Sequence, residues 1–310
     1  MIDDEAFCGL TDVGLKRENN QDQFLIAQLN KSMLVGQTSL PIDHGRRLFG
    51  GTQGHLLLVA DGMGGHAAGE QASTMAIDFL VDRLLNHVHW FFQPDDDAES
   101  DFIESLKALL RATHDRIQEE GRKNSSLNGM GTTLTMTYLL WPRLYVLHAG
   151  DSRCYLVRGG TVQRLTTDHT LARRMIESGG MKPEDEAGSR WSNVLWNVLG
   201  GKSDVELTAE VRSAILEEGD TIVLCSDGLH RHLDDERIIK VLEANASARS
   251  ACEAFVKLAN EGGGDDNITV IVARPAPPPG LASTVTIETE LPLDEVLNYE
   301  TYNPHDTLPG

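Results

Sequence analysis

Two apolar runs near the middle of the chain, "TTLTMTYLL" (Thr132 to Leu140) and "LYVLHAGD" (Leu144 to Asp151), are separated only by Trp141, Pro142 and Arg143. Parallel neighbours need a crossover of roughly a dozen residues or more, so strands joined this closely are antiparallel. A third run, "RCYLVRGGTVQRL", turns back on itself at Gly159-Gly160 as a tight hairpin. Further strand-like runs precede these ("FCGLTDVG", "QFLIAQL", "HLLLVAD") and follow them ("DTIVLCSD", "NITVIVARP"). Helical periodicity comes in adjacent pairs. Ala72, Met75, Ala76, Phe79, Leu80 and Leu84 recur at three- and four-residue steps, as do Phe102, Leu106, Leu109, Leu110, Thr113 and Ile117. A second pair is expected near Asp234 to Glu243 and Ala248 to Asn260, after a less regular polar stretch from about Thr166 to Asn197. Strands in runs and helices in pairs predict an α+β layering, not an alternating parallel α/β sheet.

At 310 residues the chain is expected to form one main domain with appendages. The cluster "RPAPPPG" closes a domain at residues 1–274 and leaves 275–310 as a Pro/Thr/Glu-rich flexible tail. Acidic residues number 47 against 27 basic ones, a formal net charge of -20, which argues against nucleic acid and anionic membrane as partners. The same excess leaves carboxylates for cations. Cys8, Cys154, Cys225 and Cys252 form no zinc-like pair and are expected to be reduced thiols. No signal-peptide pattern opens "MIDDEAFCGLTD", so a cytoplasmic location is expected.

The run "HLLLVAD" ends in Asp61 and opens a glycine-dense loop, "GMGGHAAGE". Gly62, Gly64 and Ala67 satisfy the spacing of a dinucleotide loop, with Asp82 downstream. Asp61 would set a carboxylate beside the pyrophosphate, however, and a helix follows the helix where a βαβ unit requires a strand. "CSDGLHR" (Cys225 to Arg231) has the spacing of a cysteine phosphatase, but Asp227 inside the cradle would repel phosphate and raise the thiol pKa. These loops share another pattern with "HAGDSR" and "EGGGDDNITV": Asp61-Gly62, Asp227-Gly228, Gly150-Asp151, and Asp266 after Gly264 each set an aspartate against glycine at a strand end. Any one alone reads as a turn. Together with Asp22, and if they converge, they would repel one another unless cations were bound. All-oxygen ligation favours magnesium or manganese over zinc or copper. Two such ions close together activate a bridging water and clamp a phosphoryl group for in-line attack.

The ordered series "KRENNQD" (Lys16 to Asp22), "VADGMGGHAAGE" (Val59 to Glu70), "GMGTT" (Gly129 to Thr133), "HAGDSR" (His148 to Arg153), "LTTDH" (Leu165 to His169), "CSDGL" (Cys225 to Leu229) and "GDDNIT" (Gly264 to Thr269) resembles the metal-dependent protein phosphatases of type 2C, in their bacterial form. The resemblance covers about Ala6 to Arg274. It implies an α-β-β-α sandwich of two antiparallel sheets flanked by helix pairs, and hydrolysis of phosphoserine and phosphothreonine on proteins. It further implies Mn2+ or Mg2+, two ions and a possible third. Asp61 would bridge two ions, with the Gly62 carbonyl on one and Asp227 and Asp266 on the other; Asp22 would act through water, and Asp151 would hold the third ion, sharing Asp227. Arg17 matches the arginine that binds the substrate phosphate, where a planar guanidinium suits the phosphate oxygens. The implied partners are phosphorylated substrates of Ser/Thr kinases, and the implied state is a monomer.

Met63 stands where animal-type members carry a general-acid histidine, so that role is unassigned; His66 is nearby but reads first as a structural residue. "NVLWNVLG" carries Trp196-Asn197 where many bacterial members have Thr-Arg, which bears on substrate selection. The insertion from Asn30 to Gly54 reads as a solvated loop, whose Arg46 and Arg47 would recruit acidic phosphopeptides if it lay beside the cleft. Two other classes share this fold: a noncatalytic adaptor, which would have lost metal aspartates, and a phosphatase dedicated to one regulatory partner. The intact aspartate set favours the general phosphatase.

Overall fold

The computed structural model describes residues 3–41, 45–64, 66–88, 96–201 and 206–278. In chain order the elements are β1 (Phe7–Asp12), β2 (Asp22–Leu34), β3 (Arg47–Met63), α1 (His66–His87), α2 (Asp96–Lys123), β4 (Gly131–Thr132), β5 (Leu134–Leu140), β6 (Arg143–Ala149), β7 (Arg153–Arg158), β8 (Thr161–Arg164), α3 (Leu171–Glu177), β9 (Leu199–Gly200), β10 (Glu210–Ile215), β11 (Thr221–Cys225), α4 (Asp227–His230), α5 (Asp235–Ala244), α6 (Ala248–Glu261) and β12 (Ile268–Ala273). One sheet runs β1-β12-β11-β7-β8; the other runs β10-β6-β5-β3-β4-β9, with β2 paired to β3. Every ladder between these strands is antiparallel.

Alternation within the apolar runs explains the layers. In β3, Leu56, Leu58 and Ala60 join a core with α1 and α2, whereas Leu57 and Val59 face the other sheet. In β11, Val223 and Cys225 pack with α5 and α6, whereas Ile222 and Leu224 lie between the sheets. Both faces of each strand are buried, so "HLLLVAD" and "DTIVLCSD" are continuously apolar. The result is the expected α-β-β-α sandwich, with α1 and α2 on one sheet and α5 and α6 on the other. The hairpin between β7 and β8 turns at Gly159 and Gly160, both at positive φ (54° and 75°), as a twisted two-residue turn requires.

The insertion departs from the expected loop. β2 and β3 extend into it as one ribbon whose ladder runs from Asp22 opposite Asp61 to Leu34 opposite Arg47, with a register shift between Asn30 and Ser32. The far half is mostly exposed, and its apolar residues fall in adjacent pairs, Met33-Leu34 and Leu48-Phe49, so no strand-like alternation marked it; cross-strand backbone hydrogen bonds hold it. At ~3.3 Å per residue, Arg47 lies on the order of 40 Å along the ribbon from the Asp22 end. Its guanidinium donates to Ser32 Oγ at 3.0 Å. Arg47 therefore does not meet the condition, a place beside the cleft, on which recruitment of acidic phosphopeptides depended. β10, a half-exposed edge strand on β6, was also hidden by its weak alternation, "EVRSAI".

Candidate active site

Antiparallel pairing brings the glycine-flanked aspartates to one edge of the sandwich. Asp22 at the start of β2 is directly opposite Asp61 near the end of β3. Asp151 follows β6, and β6 joins β3 through β5, with Thr135 opposite both Val59 and His148. Asp227 opens α4 just past the end of β11, and Asp266 lies just before β12; Cys225 opposite Val270 sets those two ends together. Asp61, Gly62, Asp151, Asp227 and Asp266 line one cleft of about 360 Å³, with Arg17 at its wall. Asp22 is only 2% exposed behind them. Two glycines are required by close backbone approach. A Cβ at Gly62 would lie 2.2 Å from the Gly69 carbonyl oxygen, and one at Gly228 would lie 2.0 Å from that of Asn267.

Burial and mutual repulsion push these carboxyls toward their neutral forms. Burial raises Asp22 to about 7; hydrogen bonds from Ser226 and Thr269 oppose the rise, and Asp227 and Asp266 add to it. Burial followed by Asp227 and Asp168 raises Asp151 to about 7. Asp61 is raised well above the ordinary range by burial and by four neighbouring aspartates, and Asp227 is raised by burial despite Arg231. Oδ1 of Asp22 and Oδ1 of Asp227 are buried with no hydrogen-bond partner among the described residues. Orphaned carboxylate oxygens in a crowded anionic site are what divalent cations satisfy, and the donors are all oxygen. The residues fit Mn2+ or Mg2+.

Residues that sequence reasoning quoted without a role hold this arrangement. Ser226 Oγ donates to Asp22 Oδ2 at 2.7 Å and accepts from the Thr269 amide at 2.9 Å. Thr133 Oγ1 accepts from the Asp61 amide at 3.1 Å, and Thr132 Oγ1 donates to the Asp61 carbonyl at 2.9 Å. Asn267 donates to the carbonyls of Val13 and Asn19 and accepts from the Gln21 amide, tying the Arg17 loop to Asp266. Arg17 itself pairs with Asp266 at 2.8 Å and keeps half of its side chain exposed to the cleft. Asparagine and serine inside "GDDNIT" and "CSDGL" were the available signals.

His148, His169 and Glu210 also bring ligand-type atoms together. Their hydrogen bonds already occupy them. His148 Nε2 faces the carbonyls of Gly150 and Thr167 at 3.1 and 3.0 Å, and its Nδ1 meets Thr135 Oγ1 at 2.9 Å. His169 Nδ1 accepts from the Gly150 amide at 3.1 Å, lies 2.9 Å from Asn197 Nδ2, and its Nε2 is 3.5 Å from Glu210. Burial lowers His148 to about 4, so its ring is neutral. The cluster is a clasp on the Gly150–Asp151 loop. Asn197 and Trp196 belong to it: Asn197 is buried, and the Trp196 ring meets His169 edge-on at 5.3 Å.

Cys225 is fully buried and its thiol is pushed up to about 12, with burial the main cause, so it offers no nucleophile. The dinucleotide reading fails as well, because the next described element after α1 is the helix α2, where a βαβ unit requires a strand. Met63 lines the cleft, while the His66 side chain lies outside the described residues.

Sequence comparison matches the family described as Protein phosphatase 2C over residues 43–266. The chain belongs to the protein phosphatase 2C family. It is 38% identical over 218 residues to the serine/threonine protein phosphatase PstP of Mycobacterium tuberculosis, covering 70% of this chain and 40% of that protein. The chain thus spans less than half the length of that 2C relative. It is 31% identical over 261 residues to the protein phosphatase PhpP of Streptococcus pneumoniae, covering 84% of this chain and 94% of PhpP. Among solved 2C structures, the M. tuberculosis phosphatase PstP/Ppp is 31% identical and superposes with a TM-score of 0.66 over 86% of this chain and 97% of that one. The PstP catalytic domain in complex with 2 manganese ions is 32% identical, with a TM-score of 0.63 over 86% and 96% of the two chains.

Proposed function

We propose that this chain is a serine/threonine phosphoprotein phosphatase that uses two Mn2+ or Mg2+ ions held by Asp61, the Gly62 carbonyl, Asp227 and Asp266, with Asp22 acting through water. The observation that carries this reading is the convergence of buried carboxylates, two of them with orphaned oxygens, beneath a cleft walled by an arginine. Divalent ions in such a site supply Lewis acidity and lower the pKa of water for in-line attack on phosphorus. The protein's own groups do the positioning. Arg17 presents a planar fork of donors at the cleft wall, suited to phosphoryl oxygens, and Asn267 fixes the loop that carries it. Ser226 holds one oxygen of Asp22, leaving the other for a water or an ion. Thr132 and Thr133 fix the Asp61 backbone, so that its carboxylate and the Gly62 carbonyl keep their spacing. The partners are phosphorylated proteins, and the catalytic body ends near residue 274, with the tail outside the chemistry.

Hydrolysis of a phosphothreonine peptide by variants of Arg17 tests the binding role. Removing a charge-assisted hydrogen bond costs about 1.5–3 kcal/mol, so Arg17→Ala should raise KM by roughly 10–100-fold. An unchanged KM would remove Arg17 from the site.

A further inference from the structure

Arg231 lies immediately after α4 and is the sixth residue beyond Cys225 in the rejected cysteine-phosphatase motif. One nitrogen of its guanidinium donates to Asp227 Oδ2, and the other lies 3.5 Å from Asp266 Oδ2. It lines the main cleft and also the adjoining cavity of about 400 Å³, and Asp151 lines both as well. The Asp227 carboxylate is therefore divided. Oδ1 is buried without a partner among the described residues, while Oδ2 is taken by Arg231. An ion that took only Oδ1 of Asp227 would leave this hydrogen bond intact, whereas an ion shared between Asp227 Oδ2 and Asp151 would have to displace the guanidinium.

The other basic side chains beside Asp151 among the described residues are engaged elsewhere or uncharged. Arg153 is paired with Asp168 through two hydrogen bonds, at 2.9 and 2.6 Å. His230 donates through Nε2 to the Asp151 main-chain carbonyl at 3.0 Å, and burial keeps the ring neutral. Arg231, hydrogen-bonded to Asp227, shares both cavities with Asp151 and favours the charged form of its carboxyl, and a guanidinium keeps its charge at every physiological pH.

We propose that Arg231 is a tethered cation standing between Asp227 and Asp151, so that this chain binds two ions and excludes a third from Asp151. The inference rests on the carboxylate cluster being a divalent-metal centre. It makes Arg231 a positioning residue that holds one oxygen of Asp227 and stabilises the site before metal arrives.

Manganese stoichiometry of the intact protein, measured by titration calorimetry, tests it. Wild type and Asp151→Asn should both bind two ions per chain. Arg231→Met should bind an additional, weaker ion that disappears in the double variant Arg231→Met/Asp151→Asn, whereas Arg231→Lys, which keeps the charge, should remain at two. In chelator, Arg231→Met should melt at a lower temperature than wild type, because Asp227 and Asp151 lose their counter-ion. Three ions in wild type falling to two in Asp151→Asn would overturn the proposal, and this comparison does not depend on any change at Arg231. An unchanged stoichiometry across the Arg231 variants would also overturn it. No manganese uptake by wild type would instead defeat the metal-centre reading on which the inference rests.

Discussion

Ser226 shows how one hydroxyl governs a buried carboxylate, by donating to Asp22 and accepting from the amide of Thr269 on β12. Ser226→Ala should weaken manganese binding by roughly 10–100-fold, as loss of an outer-shell partner generally does, and calorimetry would detect it. Unaltered affinity would mean that Asp22 needs no such support. Asp227 is the other decisive residue. Its charge is disfavoured in the metal-free fold even beside Arg231, because burial outweighs the ion pair. Asp227→Asn should therefore melt no earlier than wild type in chelator, while turnover falls roughly 100-fold or more. A sharply lowered melting temperature in chelator would show that the Arg231 pair is worth more than the repulsion that the substitution relieves. Cys225, fully buried against the helical layer, should tolerate serine with turnover largely retained. A dead Cys225→Ser protein that still folds and binds metal would restore the thiol mechanism.

At the scale of elements, the chain was most legible where burial imposes a period. The helices on both faces announced themselves by their apolar period, and α5 and α6 also by their caps, Asp234 and Ser247, whose side chains accept from the amides of Arg237 and Ser250. The aspartates were legible because each sits beside glycine at a strand end, and antiparallel pairing then gathers strand ends of opposite direction at one edge. The far half of the ribbon and β10 were not legible, because their apolar residues, Met33-Leu34 and Leu48-Phe49 in the one and Val211, Ala214 and Ile215 in the other, do not alternate along the strand. The roles of Ser226, Thr133 and Arg231 were hidden for another reason. Their partners lie 204 residues away for Ser226, 72 for Thr133 and across one helix turn for Arg231, and only the fold shows which aspartate each one touches. No described residue of the far half of the ribbon lines the cleft. Replacing its tip with a two-residue turn should leave turnover on a small phosphopeptide unchanged; a loss would tie the tip to the site.

At the scale of the whole molecule, a net charge of -20 and a crowded anionic edge make stability depend on protons and metal together. Asp22 and Asp151 titrate near 7 in the fold, against ~3.9 in an unfolded chain. Between those values the folded state binds more protons, so their contribution to stability falls as pH rises from about 4 to 7. His148 and His230, lowered by burial, slope the other way, since they charge more readily when unfolded. The histidines are common to metal-free and metal-loaded protein, so the difference between the two isolates the carboxylates. The gain in melting temperature on adding manganese should therefore grow from pH 5 to pH 8; a flat difference would place the metal elsewhere. No helix among the described residues is long and apolar enough to cross a membrane. The compact unit runs to Pro277, and Pro275 is buried, so a chain shortened after Pro278 should keep both stability and turnover on a small phosphopeptide. The central claim is that this edge of carboxylates works through divalent ions on phosphorylated serine and threonine. Its most direct test is phosphothreonine-peptide hydrolysis after exhaustive chelation, followed by return of manganese. Loss of turnover on chelation and its recovery with manganese is the predicted result; full turnover in the chelated protein would contradict it.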